Sequence, residues 1–306
     1  MSTPEPGPRP DLAEHAPRPE PRLVSVVIPT YNAVDTLGAQ LDALERQDYA
    51  GAFEVVIADN GSTDGLAEFV SRRSSRVQER VVDASTRRGV SHARNVGCRE
   101  SKGELVVICD ADDVVVPGWL RALVAVAATA ECVGGSLDAT TLNDASTIAW
   151  RFPHRPDKLP VKLRFLPYAH GCNVAVWRDV VEALGGWEET YQGGGEDVDF
   201  CWRLQLEGGR LAVAPDAVVH YRHRATAGGL ARQMAGYAQA DVLLYRRFRE
   251  LGARRRPVSA ALWDLWWLLS RLPLLGRSDV RGLWANRWGQ LRGRVIGSVR
   301  YRVFYP

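Results

Sequence analysis

The sequence lacks the staples of a small secreted module. Its five cysteines (Cys98, Cys109, Cys132, Cys172, Cys201) are odd in number, scattered, and form no Cys-x-x-Cys pair. That argues against a zinc site and against a disulfide framework, and fits a reducing cytoplasm. No apolar run reaches the roughly 20 residues that cross a bilayer; the stretch 262–275 is broken by Asp264, Arg271 and Pro273 and is interfacial at most. Residues 1–22 are rich in proline and charge without a hydrophobic centre, so they read as a disordered tail and not as a signal peptide. No internal repeat is visible. Lysine is absent from residue 222 onward, where 17 arginines face four acids, a local charge of +13 in a chain of net +3.

Such a basic end seeks an anionic surface. Trp263, Trp266, Trp267, Trp284 and Trp288 interleave with its arginines, a mixture that suits a membrane interface or an anionic lipid head group at least as well as nucleic acid. No nucleic-acid partner is expected. A core or homodimer contact is the competing reading of the tryptophan stripe. The location implied is cytoplasmic, with peripheral attachment to the inner membrane face as an option.

What is present is enough for a large core: 306 residues, 46% of them hydrophobic. Residues 23 to about 223 alternate strand-like and helix-like segments, predicting a mostly parallel, twisted α/β sheet with helices on both faces. Leu23–Ile28, Phe53–Ala58, Val81–Val82 and Leu105–Cys109 read as strands; Val34–Arg46, Gly65–Arg73 and Val90–Glu100 read as helices. Trp119–Ala130 and Val198–Glu207 read as further helices, and Val174–Trp177, Ala212–Ala214 and Ala217–His220 as closing strands. From 224 to 306 an Arg- and Trp-rich helical extension is expected.

The chemistry-bearing groups fall at strand ends. Asp110-Ala-Asp112-Asp113 follows an apolar strand, and Glu196-Asp197-Val-Asp199 follows three glycines. Carboxylates at the carboxyl edge of an open α/β sheet sit where such folds bind ligands, and one or two of them suffice for Mg²⁺ or Mn²⁺. The second acidic group is then free to serve as a base.

Five motifs occur in order: Val26-Val-Ile-Pro29-Thr30-Tyr31-Asn32, Asp59-Asn-Gly-Ser-Thr-Asp64, Gly89-Val-Ser-His-Ala-Arg94-Asn95-Val-Gly97, Asp110-Ala-Asp112-Asp113, and Gly185-Gly-Trp187 through Glu196-Asp197 to Arg203. Together they resemble the family 2 inverting glycosyltransferases of GT-A fold, of non-processive type. The resemblance implies a nucleotide-binding half at 23–113 and an acceptor-binding half at 114–223. It implies that Pro29, Tyr31 and Asp59 line the nucleotide pocket, that Asp110 lies near the ribose, and that Asn173 contacts the donor sugar. Asp112 and His220 would hold the metal, Asp197 would be the general base, and Glu196 would position hydroxyls. The implied donor is a UDP-sugar, with dTDP- and GDP-sugars as alternatives. The implied acceptor is a saccharide, a glycolipid or a small molecule. A catalytically silent sugar-nucleotide-binding scaffold of the same fold is the alternative function.

Overall fold

The computed structural model describes residues 17–151 and 155–306. Most of the expected tail, residues 1–16, lies outside the described residues. Its last part is fastened to the domain: Arg18 donates to both oxygens of Asp179 at 2.8 and 2.9 Å and lies over the Trp177 ring, and Arg22 pairs with Glu104.

Eight strands form one sheet in the order β3-β2-β1-β4-β7-β6-β8-β5. The first half, expected to bind the nucleotide, is parallel: β1 (Val24–Thr30) lies between β2 (Phe53–Asp59) and β4 (Leu105–Cys109), and β3 (Gln78–Asp83) borders β2. The direction then reverses. β7 (Asn173–Trp177) runs antiparallel to β4 and to β6 (Cys132–Asp138), β6 is parallel to β8 (Leu211–His220), and the short β5 (Val114–Val115) closes the edge antiparallel to β8. The sheet is therefore mixed. Strand β6 carries two glycines in a short stretch and no alternation, which hides it from a pattern search. The two closing segments expected at 212–214 and 217–220 are one strand, irregular opposite Gly135 and Ser136.

Every residue from Val24 to Ile28, and every residue of β4, is at most 1% exposed. Burial of both alternating sets requires cover on both faces, as the unbroken apolar runs imply. The helix α3 (Val90–Glu100) approaches β1 closely because a Cβ on Gly97 would meet Val27 Cγ1 at 2.4 Å. The Asp59–Asp64 turn works differently from the expected cap. Asp64 does not cap its own helix; its Oδ2 accepts from Val34 N at 2.9 Å at the start of α1 (Val34–Glu45), while Asn32, at φ 48°, accepts from Thr63 N. The loops after β1 and β2 are thus tied into one wall.

The composition change near residue 224 is not a packing boundary. Helix α8 (Ala227–Phe248) places Ala240, Leu243, Leu244 and Phe248 in one apolar cluster with Val198 and Trp202 of α7 (Glu196–Leu206). Arg247 of α8 reaches Glu188 at 3.0 Å and the buried Asp199 at 3.1 Å. The glycines 193–195 all have positive φ; Cβ atoms on Gly194 and Gly195 would collide with Tyr237 and Ala240 of α8, and one on Gly193 would press on Gly236 at 3.3 Å. They allow α8 to lie against the loop. Helix α10 (Ser278–Arg300) packs on α8 through Gly289, Gly293 and Gly297.

Candidate active site

The parallel strands bring their carboxyl ends to one edge. Thr30 pairs with Asp59 across β1 and β2, and Asp110 follows the end of β4. Tyr31 projects there, 52% exposed, with the Arg88 guanidinium 4.2 Å from its ring centroid. Asp59 Oδ1 accepts from Ser62 N at 2.8 Å, and no partner for its other oxygen is found among the described residues. Pro29 is half-buried beneath them.

Arg94 joins the two acidic motifs. It is 3% exposed; its Nη1 donates to Glu196 Oε1 at 2.6 Å and its Nη2 lies 3.4 Å from Asp110 Oδ1. Burial would pull the guanidinium pKa down, but Glu196, Asp110 and Asp197 together raise it. The next residue of the same motif, Asn95, donates to Trp187 O and accepts from Trp187 N, both at 2.8 Å. Trp187 in turn stacks on Phe200 of α7 at 4.5 Å. Helix α3 therefore holds α7 by two adjacent residues and sets where its first turn stands.

In that first turn, Asp197 Oδ2 accepts from Gly171 N at 3.1 Å and Oδ1 from Val198 N at 2.8 Å. Its charge reaches Lys162, Tyr168 and Tyr237. Burial, with Asp197 adding to it, pushes the Tyr237 phenol up to about 12. Tyr168 also stands at about 12, raised by burial and Asp197 against the pull of Lys162. Lys162 pairs with Asp241 of α8 at 2.8 Å. Sequence reading did not single out Lys162, Tyr168, Tyr237, Asp241, Arg88 or Arg94 as site residues. Arg94 alone had a signal, because it sits in a quoted motif; Tyr237 and Asp241 lie in a segment whose composition reads as an appendage.

The negative charge at the β4 end is under-compensated. Burial, with Asp110 adding to it, pushes the Asp113 carboxyl up to about 9, and its Oδ2 is buried without a hydrogen-bond partner. Burial also raises Asp110 despite Arg94. Among the described residues, three ligand-type atoms converge at Asp110, Asp113 and Cys172, within 4.8 Å of one another. The thiol is a poor ligand for a hard cation, and burial pushes Cys172 well above its ordinary value. Asp112 and His220 do not join that cluster. Asp112 Oδ2 faces Arg224 Nη1 at 3.2 Å. His220 Nδ1 is 2.8 Å from Asp138 Oδ2; that carboxylate is held low by bonds from Thr140, Thr141 and His220, which outweigh its partial burial. A carboxylate on Nδ1 fixes the ring and leaves Nε2 as its other nitrogen.

Asn173, expected to contact the donor sugar, has its side chain turned into the sheet. It is fully buried; Oδ1 accepts from Trp119 Nε1, and Nδ2 donates to Ser136 O and Ala217 O, each at 2.8 Å. No polar atom is left for a sugar, and its amide instead brackets β6, β7, β8 and Trp119. Asn173→Ala is expected to cost about 2–3 kcal/mol in urea unfolding, because it strands a buried indole N–H and two carbonyls. An unchanged midpoint would contradict the structural role.

The family model for glycosyl transferase family 2 matches residues 25–185. The glycosyltransferase AglE of Haloferax volcanii is 30% identical over 267 residues, covering 85% of each chain. An undecaprenyl-phosphate 4-deoxy-4-formamido-L-arabinose transferase of Pseudomonas aeruginosa is 34% identical over 170 residues, 53% of this chain and 49% of that one. The mannosyltransferase PcManGT of Pyrobaculum calidifontis, solved with GDP-Man and Mn²⁺, superposes with a TM-score of 0.63 at 22% identity, over 92% of this chain and 88% of that one. The match over more than half its length, with the acids of three of the five motifs at or beside one sheet edge, places this GT-A-fold chain in glycosyl transferase family 2.

Proposed function

We propose that this glycosyltransferase is inverting and metal-dependent, and moves one sugar from a nucleotide-diphosphate sugar to an acceptor hydroxyl in a single displacement. The observation that carries this reading is Asp197: a half-buried carboxylate held by the Gly171 N–H, one residue from a glutamate that Arg94 ties to Asp110. A base fixed beside the donor-binding acids is what direct displacement requires. Asp197 takes the proton of the attacking hydroxyl, and Glu196, locked by Arg94, keeps the first turn of α7 in register.

The base of the donor lies against Tyr31 and Pro29, with Asp59 accepting from its imide and Arg88 backing the Tyr31 ring. Asp110 faces the ribose. An imide donor fits a UDP-sugar, with dTDP- and GDP-sugars as the competing classes. Asp112, with His220 through Nε2, would hold Mg²⁺ or Mn²⁺, which supplies electrostatic stabilisation of the leaving diphosphate. Asp112 offers a carboxylate oxygen to a hard cation, and His220 a second donor. Arg224 must leave Asp112, and a pair this exposed costs only about 0–1 kcal/mol to break. Tyr168, Tyr237 and Lys162, grouped round Asp197, receive the acceptor, a saccharide, glycolipid or small molecule. Asn173 takes no part.

Calorimetric titration of UDP-, GDP- and dTDP-sugars, with and without Mn²⁺, tests the reading. One nucleotide class is expected to bind with metal dependence, and Asp112→Asn to weaken that binding at least about tenfold, the scale of losing one metal-ligand charge. Absence of binding to every class would overturn the nucleotide-sugar reading.

A further inference from the structure

Helix α9 (Val258–Ser270) is built inside out. Its fully buried positions are Asp264 and Leu268. Asp264 is caged by three guanidiniums: Arg256 at 2.9 Å, Arg287 at 2.8 Å and Arg294 at 3.0 Å. The outward positions carry Leu262, Trp263, Leu265, Trp266 and Leu269, each 46–63% exposed, and the chain continues with Leu272 and Leu274 at 47% and 44%. A surface helix of a water-soluble protein buries its apolar stripe and exposes its charge; here the acid is inside and five large apolar side chains are outside. A contiguous face of this kind marks an interaction site.

Two further observations choose its occupant. No helix among the described residues is long and apolar enough to cross a membrane, so an apolar environment for this face must be met sideways. Most groups flanking it along the chain are cationic: Arg254, Arg255 and Arg281 are exposed, Arg277 is exposed but paired with Asp279 at 3.0 Å, and Arg271 lies 5.1 Å from the Trp267 ring. Asp264, the acid of the helix itself, is neutralised within the cage. Exposed Trp and Leu bordered by arginine match the acyl–headgroup boundary of an anionic bilayer.

We infer that α9 and the turn after it, to Leu274, lie in the surface of an anionic lipid bilayer. Trp263, Trp266 and Leu269 enter the acyl boundary and the flanking arginines contact lipid phosphate. The anchor is rigidly joined to the catalytic domain. Arg287 and Arg294 of α10 hold α9 through Asp264; Gly282 of α10 meets Trp150 so closely that a Cβ would clash at 2.2 Å, and α10 lies on α8, which supplies Tyr237 and Asp241 beside Asp197. Docking would therefore fix the acceptor side of the cleft relative to the membrane. The inference does not depend on the sugar chemistry.

The test is flotation of the full-length protein with phosphatidylcholine vesicles and with vesicles containing roughly one-third phosphatidylglycerol. Binding to the anionic vesicles is expected, accompanied by a blue shift of tryptophan emission. Trp263→Ala/Trp266→Ala, at two exposed positions, is expected to lower the partition coefficient about tenfold or more from lost apolar burial alone. Arg254→Gln/Arg255→Gln is expected to lower it about tenfold at low salt, with little difference once salt screens the charges. Circular dichroism spectra matching the wild type would show both variants folded. Wild-type protein that stays off anionic vesicles while still binding nucleotide sugar would overturn the inference and leave the proposed function intact. So would equal vesicle binding by the tryptophan variant, or a dimer in light scattering that this variant dissolves, which would make the face a contact between copies.

Discussion

Asp197→Asn is expected to lower kcat by about 10²- to 10⁴-fold, the range of a positioned general base, with donor affinity unchanged. The amide can still accept from Gly171 N or Val198 N through its oxygen, so the first turn of α7 keeps its place. What disappears is the capacity to take a proton. Initial rates of nucleotide release, paired with calorimetric titration of the donor, separate the two effects. Loss of donor affinity matching that of Asp112→Asn would merge the two acidic groups into one binding site. A kcat within about tenfold of wild type would remove Asp197 from the base role.

Arg94→Met should be among the most damaging single changes to stability. The guanidinium is the main cation facing Glu196 and Asp110, and Glu196 Oε2 is already buried without a hydrogen-bond partner. Removing one member of a buried ion pair costs about 3–5 kcal/mol, because the remaining charge is left in a poor solvent. Chemical denaturation should show that loss, and Arg94→Met/Glu196→Gln should recover part of it by removing the stranded charge. A single variant within about 1 kcal/mol of wild type, the scale of an exposed pair, would mean that the triad is not a structural unit. The same substitution should also impair turnover, since Glu196 adjoins Asp197.

Much of the nucleotide half was legible in the sequence, for a local reason. The strands ending at Thr30, Asp59 and Cys109 are predominantly apolar runs, interrupted only by Ser25 and Glu54 before their ends and stopped by turn chemistry, and a parallel strand buried on both faces needs such a run. Its site acids follow those strands directly, so their placement at one edge comes with the topology. The acceptor side was less legible because it is assembled from distant segments. Strand β6 has little alternation, β7 reverses direction, and Asn173, which the resemblance assigned to the donor sugar, brackets three strands. The family resemblance could name the segment; only packing shows which side chain is spent on structure.

The sequence by itself determined the element order of the first half, the two acidic groups and the basic, tryptophan-rich end, since these depend on neighbours along the chain. Tertiary structure decided what depends on neighbours across it. It showed that α8 belongs to the catalytic core, because the glycines at 193–195 and Gly236 let the helix and loop touch. It showed that Arg94 spans from α3 to α7, and that Asp264 turns inward to three arginines while the tryptophans beside it turn outward. These charge pairs join residues 8 to more than 100 positions apart, and linear order does not carry them.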